Sequence, residues 1–506
     1  MKIISNYKEL KKIRLRYKKK IIGLCHGAFD IFHIGHLNHI KEAKKNCDIL
    51  IVSITSSKFI SKSPSLPYND DQSRLEIVKN LELVNYVFLD KSPSALSVLD
   101  SLEPNIYFKG NDYKKNNNDY VGNLKKELLL LKKKRINFHI TKTPLKSSSK
   151  IYLNNYSDLT EQQIKFIKNF KKNFLFVDVI EEITKLKKKT INIFGETIID
   201  KFKFVKILGL ASKFPIYSGV QKLEECYPGG TIAVANAASE FVKNVNLITG
   251  VDKKKIPKKF FNTKNIYLKN IPNSSHQVKT RFLNEYRNER FFQITNLVRI
   301  NHEKNSNFQI KELHRFKSST TNLIFDYGVW KNNKKVLDFI NSKKINYFLN
   351  VQTNSLNFGK NLIKKYKNYD LCTLDYKEYC INLGLPVEDF KYQNINSLKR
   401  LKNNFYKKFK NNKAIIVVTL GKDGSAVFNK KYLYHCPVFI SSAIDTTGCG
   451  DMFFLIFSLL VKNNAPLELS QFLATTYAGL HSLFIGNKKV VDKFEFTKYV
   501  NFLYKI

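Results

Sequence analysis

The chain has 506 residues, enough for two or three domains at roughly 100–200 residues each. With 43% hydrophobic and 13% aromatic residues, it falls outside the disordered, collagen-like and low-complexity classes. Lys plus Arg (86) exceeds Asp plus Glu (42) by 44, but the excess is spread along the whole chain, which suits a basic solvated surface better than one polyanion-binding patch. Such a surface still draws in anionic nucleotides and sugar phosphates.

The start, MKIISNYKELKKIRLRYKKK, lacks the apolar core of a secretory signal. The longest apolar run, Met452–Val461, is about half of the ~20 residues that a spanning helix needs. Seven cysteines, an odd number with no C-x-x-C pair, signal neither a disulfide framework nor a zinc site. A cytoplasmic protein without membrane insertion or a nucleic-acid partner is expected.

The first organised unit opens with strand-like IIGLCHG (Ile21–Gly27), followed by an amphipathic stretch through His36 to Lys45 and a second strand, ILIVSIT (Ile49–Thr55). Strand, helix and strand in that order make a right-handed parallel βαβ unit. Further alternation follows, with helix at Ser73–Leu81, strand at Val84–Leu89, helix at Ala95–Leu102 and strand at Ile106–Phe108. Residues 1–150 therefore read as one small doubly wound, Rossmann-like α/β domain. Residues 151–189 read as a polar helical connector, with a capped helix start at Thr160 and Gln163. The strand TINIFGE (Thr190–Glu196) then begins a second, longer α/β region, 190–506, which ends in strand-like AIIVVTLG, a turn at Lys422–Gly424 and an apolar helix after Gly450.

The first chemical constellation is GAFDIFHIGHLNHI, Gly27 to Ile40, where the first strand meets the first helix. Small residues let a backbone approach a phosphate there, and helix-start N–H groups favour an anion. His33 and His36 flank Gly35 and point from one turn at that anion, so they can donate to phosphoryl oxygens whose charge grows in the transition state. The run Gly27-Ala28-Phe29-Asp30-x-x-His33-x-Gly35-His36 resembles the signature of the cytidylyltransferase-like nucleotidyltransferases. Pro67 and Arg74 in PYNDDQSR, the strand VNYVFLD, the tract around Lys109-Gly110, and TPLKSSSKI fit the sugar-phosphate adenylyltransferases of that family. The resemblance implies a nucleotide site built from Gly27, Phe29, Asp30, Gly35, Lys62, Arg74, Lys109, Asp112, Ser147, Ser148 and Ser149, with His33 and His36 on the triphosphate. It implies attack by a sugar-1-phosphate oxygen on the α-phosphorus of ATP or CTP, with pyrophosphate leaving and Mg²⁺ sharing the charge.

The second constellation is Asp445-Thr446-Thr447-Gly448-Cys449-Gly450-Asp451, running into MFFLIFSLLV. Glycines before a buried helix present several N–H groups to one anion, and Asp451 at the helix mouth can take a proton from an attacking hydroxyl. This segment resembles the C-terminal signature of ribokinase-like (PfkB-type) sugar kinases. FGETIID, PGGTIAVANAAS, KTRF, DYG, LNVQTNS and VVTLGKDGSAVF stand in that family's order. The resemblance implies Asp451 as the base, sugar contacts from Asp200, Gly229, Gly230 and Asn236, ATP contacts from Thr419, Gly421, Lys422 and Gly424, and an anion hole of Gly448, Cys449 and Gly450. It also implies Mg²⁺ supported by Asp375 and Glu378, and a homodimer through the kinase domain.

Both halves on one chain are similar in content to the bifunctional heptose-7-phosphate kinase/heptose-1-phosphate adenylyltransferase family, with the domain order reversed. The resemblance implies a cytoplasmic, Mg²⁺- and ATP-using enzyme that makes an ADP-heptose-like nucleotide sugar for surface polysaccharide, acting on nucleotides and sugar phosphates. Two alternatives stay open. One is activation of a CDP-linked polyol or another sugar by the same folds. The other is a basic polyanion-binding scaffold whose active sites are relics.

Overall fold

Short apolar runs such as IGLCHG and ILIVSIT, separated by amphipathic helices, are buried on both faces when they pair in parallel, so both sides of the resulting sheet must carry helices. The computed structural model describes residues 2–60, 67–111, 123–142, 159–252, 254, 256–261, 265–272, 274–286, 289–296, 305–328, 333–342, 345–354, 357–388, 390, 392, 394–410 and 412–506. The chain divides into two compact units, one of Met1–Asp158 with Thr497–Ile506, the other of Leu159–Phe496.

In the first unit the strands are β1 (Lys2–Ile4), β2 (Ile22–Gly27), β3 (Ile49–Thr55), β4 (Tyr86–Asp90), β5 (Ile106–Lys109) and β6 (Asn137–Ile140). They form one parallel sheet in the order β1-β4-β3-β2-β5-β6. Successive residues of a strand point to opposite faces. Leu24, Ile51 and Tyr107 accordingly join the core on one side with Leu99, while Cys25, Val52 and Phe108 join the core on the other with Ile40 and Val78. The strand order reverses at β2, whose neighbours are β3 and β5, and open α/β sheets bind ligands beyond the carboxyl ends of strands at such a point. Edge strand β1 and the helices Tyr7–Arg16 and Asn123–Lys134 are additions to the elements expected from sequence.

In the second unit, β7 (Thr190–Gly195), β10 (Asn244–Thr249), β11 (Ile266–Asn270), β14 (Thr321–Asp326), β15 (Phe348–Val351), β16 (Leu371–Asp375), β17 (Ile415–Thr419), β18 (Ser425–Phe428) and β19 (Leu433–Cys436) make a nine-stranded sheet. It is parallel from β11 to β17 and closes with two antiparallel strands. A separate four-stranded sheet, in the order β13-β12-β8-β9, is built from β8 (Thr197–Leu210), β9 (Tyr217–Gly230), β12 (Gln277–Asn284) and β13 (Arg290–Asn296). Against the large sheet lies the helix Cys449–Lys462, buried at every residue from Asp451 to Leu460. The helix Glu161–Asn173 starts on the expected Thr160–Gln163 capping box and belongs to this second unit. Its Gln163 Nε2 donates to the Val438 carbonyl at 2.6 Å, and Phe170 stacks on Phe472 at 4.2 Å. Among the described residues no helix is long and apolar enough to cross a membrane.

Candidate active sites

In the first unit the turn after β2 is strained. Phe29 (φ 48°) and Ile31 (φ 43°) both sit in the left-handed region, which side-chain-bearing residues enter at a cost of order 1–3 kcal/mol. The turn leads from the carboxyl end of central strand β2 into helix Ile34–Lys45, whose N-cap is His33, with its Nδ1 accepting the Gly35 N–H at 3.0 Å. With Nδ1 accepting, the neutral ring carries its proton on Nε2, the form that can donate to a phosphoryl oxygen. His36 stacks on His33, ring centroids 4.0 Å apart, and is flanked by Phe29 and Phe32, each at 5.4 Å. The paired imidazoles and glycine corner expected from GAFDIFHIGH are therefore brought together at the point where the strand order reverses.

Two residues expected on the nucleotide serve the turn instead. Arg74 is fully buried, and its five N–H groups reach Asn69 O, Ala28 O, Thr55 O, Ser57 Oγ and Asp71 Oδ1 at 2.6–3.1 Å. No donor remains for a phosphate, so Arg74 braces the Ala28–Phe29 corner from behind. Asp30 is also buried, and its carboxylate accepts the N–H groups of Tyr68 (2.8 Å) and Asn69 (3.0 Å), tying that loop to the turn. Lys109, at the end of β5, is buried with its Nζ 3.7 Å from the Glu127 carboxylate. Gly27 closes β2. Lys62, Asp112, Ser147, Ser148 and Ser149 lie outside the described residues.

In the second unit Asp451 occupies the first turn of helix Cys449–Lys462. Its Oδ1 accepts from Asn350 Nδ2 at 2.9 Å and Gln352 Nε2 at 2.6 Å, two residues at the end of β15. Burial pushes its ionisation up to about 7, against the opposing pull of the Tyr327 hydroxyl, the Lys279 charge and the Asn350 amide. A carboxylate poised near neutrality is suited to accept a hydroxyl proton. Lys279 on β12 lies in the field of Asp451, Asp200 and Glu196, while burial pulls its own ionisation downward. Glu196 accepts the Tyr327 N–H at 2.8 Å and so fixes the DYG turn near Asp451. Asn350 and Gln352 were not singled out individually from sequence, although their period-two spacing within LNVQTNS puts both on one side of the strand end.

The glycine loop ahead of this helix is built as a cradle. Gly448 caps it at φ 81°, and an added Cβ would meet Asn487 Oδ1 at 3.1 Å and His481 Nε2 at 3.2 Å, so both conformation and space require glycine. The Cys449 N–H donates to Thr446 O at 3.2 Å, which removes it from the expected anion hole. Among the described residues the N–H groups of Gly450 and Asp451 have no protein acceptor, and a Cβ on Gly450 would enter open space. The Gly448 N–H likewise has no protein acceptor among the described residues, so Gly448 and Gly450 of the expected set keep open donors and Asp451 adds a third. Burial pushes the Cys449 thiol up to about 12, so it is no thiolate nucleophile.

Asp200 on β8 and Gly229 on β9 are brought together, since a Cβ at Gly229 would strike the Asp200 carboxylate. Arg281 pairs with Asp200. Gly230 caps helix Thr231–Ser239, but Asn236 within that helix donates its Nδ2 to Phe260 O at 2.8 Å and is buried, so this amide serves helix packing. Thr419 ends β17. Gly421 and Lys422 form the turn after it, with open space over Gly421, and Gly424 closes that turn. The expected metal pair does not fit direct coordination. Asp375 and Glu378 cap one helix reciprocally, with Glu378 Oε1 on Thr353 N and Oε2 on Asp375 N, both at 2.8 Å. Burial and the neighbouring Asp375 push Glu378 well above the usual carboxylate range. Among the described residues no group of three or more His, Cys, Asp or Glu could hold a metal ion.

Comparison with known proteins finds two family matches along the chain. Residues 24–194 match the Cytidylyltransferase-like family and residues 390–481 the pfkB family carbohydrate kinase. The chain is 34% identical over 94 residues to the Bifunctional protein HldE of Hyphomonas neptunium, covering 18% of this chain and 19% of that one. It is 31% identical over 134 residues to the Bifunctional protein HldE of Aliarcobacter butzleri, covering 26% and 28%. The chain thus spans about a fifth to a quarter of the length of these curated relatives. Phosphofructokinase-2 from Escherichia coli in complex with potassium aligns at 14% identity and TM-score 0.49, over 62% of this chain and 99% of that one. Arabidopsis thaliana ribokinase complexed with ribose and ATP aligns at 15% identity and TM-score 0.45, over 63% and 99%. The chain carries a cytidylyltransferase-like domain ahead of a PfkB-type carbohydrate kinase domain.

Proposed function

We propose that the chain is a two-site enzyme, a carbohydrate kinase and a sugar-phosphate nucleotidyltransferase, that makes an activated nucleotide sugar of the ADP-heptose type for surface polysaccharide. The observation that carries this reading is Asp451, a buried carboxylate poised near pH 7 beside the N–H groups of a glycine loop. That pairing suits phosphoryl transfer. Asp451 takes the hydroxyl proton as the oxygen attacks the γ-phosphorus of ATP, and the Gly450 and Asp451 amides face the charge that develops on the transferring group. Asn350 and Gln352 hold the base in position, and Asp200 with Gly229 shapes the neighbouring wall for sugar hydroxyls.

At the other site a sugar-1-phosphate oxygen attacks the α-phosphorus of ATP, and pyrophosphate leaves. His33 and His36 donate to the phosphoryl oxygens, while Arg74 and Asp30 keep the turn in its strained shape. No covalent enzyme intermediate is needed. If the sugar is heptose 7-phosphate, the kinase product carries two phosphates, and a separate phosphatase must remove one before the transferase acts. We take residues 1–150 as the transferase domain and 190–506 as the kinase domain. ATP as a substrate of both steps supports a cytoplasmic setting. Leu208, Leu210, Phe214, Ile216 and Tyr217, exposed around the β8–β9 hairpin, support a homodimer through the kinase domain.

The test is a matrix of purified protein with ATP or CTP against sugars and sugar phosphates, read as ADP and as pyrophosphate release. The expected result is ADP release with a phosphorylated heptose and pyrophosphate release with ATP plus a heptose 1-phosphate. Preference for CTP with a polyol phosphate would favour the CDP-linked alternative. No release in any combination, with binding to polyanions that falls steeply with salt, would establish the scaffold instead.

A further inference from the structure

Arg290 opens strand β13 of the four-stranded sheet, yet its side chain reaches the glycine loop that precedes Asp451. Its Nη2 pairs with the Asp445 carboxylate and donates to Thr447 Oγ1 at 2.7 Å. The guanidinium also lies over the Phe202 ring, 5.9 Å from its centroid. Asp445 is itself fully engaged, with Oδ1 accepting Thr447 N at 2.9 Å and Oδ2 accepting Gly486 N at 2.7 Å, and its carboxyl is held below the usual range despite burial. The arginine is thus gripped on one edge by a fixed anion and on its face by an aromatic ring. Its Nε and Nη1 have no hydrogen-bond acceptor among the described residues, and the side chain remains 39% exposed. Arg290 also lines a cavity of about 310 Å³ whose walls include Leu283, Ile444, Asp445, Thr446 and Ile485.

A planar guanidinium held still with open donors is suited to bidentate contact with phosphate oxygens. An arginine fixed only for structure gains nothing from donors left facing a cavity. We propose that Arg290 and Thr446 form a phosphate-receiving corner of the kinase site, with Arg290 contacting a phosphoryl group of the bound substrates. The inference rests on the kinase reading above. The phosphate can come from the nucleotide's terminal group or from one already on the acceptor sugar, and both present the same tetrahedral anion.

The test uses the full chain as wild type, Arg290→Ala and Arg290→Lys. Binding of a non-hydrolysable ATP analogue and of sugar phosphate is measured separately by calorimetry, beside ADP release and thermal melting. Arg290→Ala should lower kcat/KM for ADP release by roughly 100-fold or more, as loss of one transition-state donor does. Pyrophosphate release and melting should stay near wild type, guanidinium ion should restore part of the kinase rate, and Arg290→Lys should fall between the two. Weaker binding of the analogue alone assigns the corner to the nucleotide, and weaker binding of sugar phosphate alone assigns it to the acceptor. Unchanged affinity for both, or a loss that tracks lowered melting without rescue by guanidinium, overturns the proposal. Failure of the wild-type chain to bind either ligand would instead sink the kinase reading, so the two failures are distinguishable.

Discussion

At the scale of single residues, the chemistry turns on how the fold sets Asp451. Its ordinary value of 3.8 is raised to about 7, so on the proposed reading the proton-accepting form grows as pH rises toward 7. The pH profile of kcat/KM for ADP release should therefore rise about tenfold per pH unit up to near 7 and then level. Pyrophosphate release, which does not use Asp451, should lack that limb. The same shift has a sign for stability. A folded state that holds the proton more tightly than the unfolded chain loses stability as pH rises from about 4 to 7. The loss is on the order of 4 kcal/mol at most. Asp451→Asn should thus melt above wild type at pH 8, with the gap closing toward pH 4; a variant that melts lower at pH 8 would count against a strained, buried charge. The placement of His33 and His36 at a strand-to-helix turn, and of Asp451 at the start of an apolar helix, was legible in the sequence, because Gly27 and Gly35 mark the first and Gly448 and Gly450 the second. The bracing role of Arg74 was not, since three of its partners are backbone carbonyls of residues far apart in sequence, Ala28, Thr55 and Asn69.

At the scale of elements, the proposed kinase mechanism needs a rigid helix Cys449–Lys462, because its first turn carries both Asp451 and the open amides. Phe454 and Phe457 are fully buried in it, and Phe454 meets Phe325 edge-on at 5.1 Å. Phe457→Ala should cost about 3–5 kcal/mol of stability. Chemical denaturation checks this, and a change within about 0.5 kcal/mol would mean that the helix is not anchored there. The strands β2, β3 and β5 were readable because their apolar runs are buried on both faces and have no competing helical period. By contrast β1 spans only Lys2–Ile4, too short for any periodicity, and helix Tyr7–Arg16 buries only Leu10 and Ile13 beneath a basic surface. The four-stranded sheet was missed for a related reason. The outer half of β8 and nearly all of β13 are exposed, so no alternation of apolar and polar residues marks them.

At the scale of the whole molecule, the proposed function assigns each α/β unit one phosphate-handling site at a helix start. The first would use paired imidazoles, the second a buried carboxylate beside glycine amides. An excess of 44 basic over acidic residues spread along the chain favours anionic substrates at both without specifying either. The presence of two α/β units was legible from strand and helix alternation that begins at Ile21 and starts anew at Thr190, but the units divide at Asp158 and Leu159. What lies between was less so, because the capped helix at Thr160 looks like a connector in sequence and joins the second unit through long-range contacts of Gln163, Phe166 and Phe170. The claim on which everything else depends is that the two sites work independently on one chain. It is tested most directly by following ADP and pyrophosphate release in the same preparations of wild type, Asp451→Asn and His36→Ala. Asp451→Asn should abolish ADP release and spare pyrophosphate release from supplied sugar 1-phosphate, and His36→Ala should do the reverse. Loss of both activities in either folded variant would contradict two independent sites.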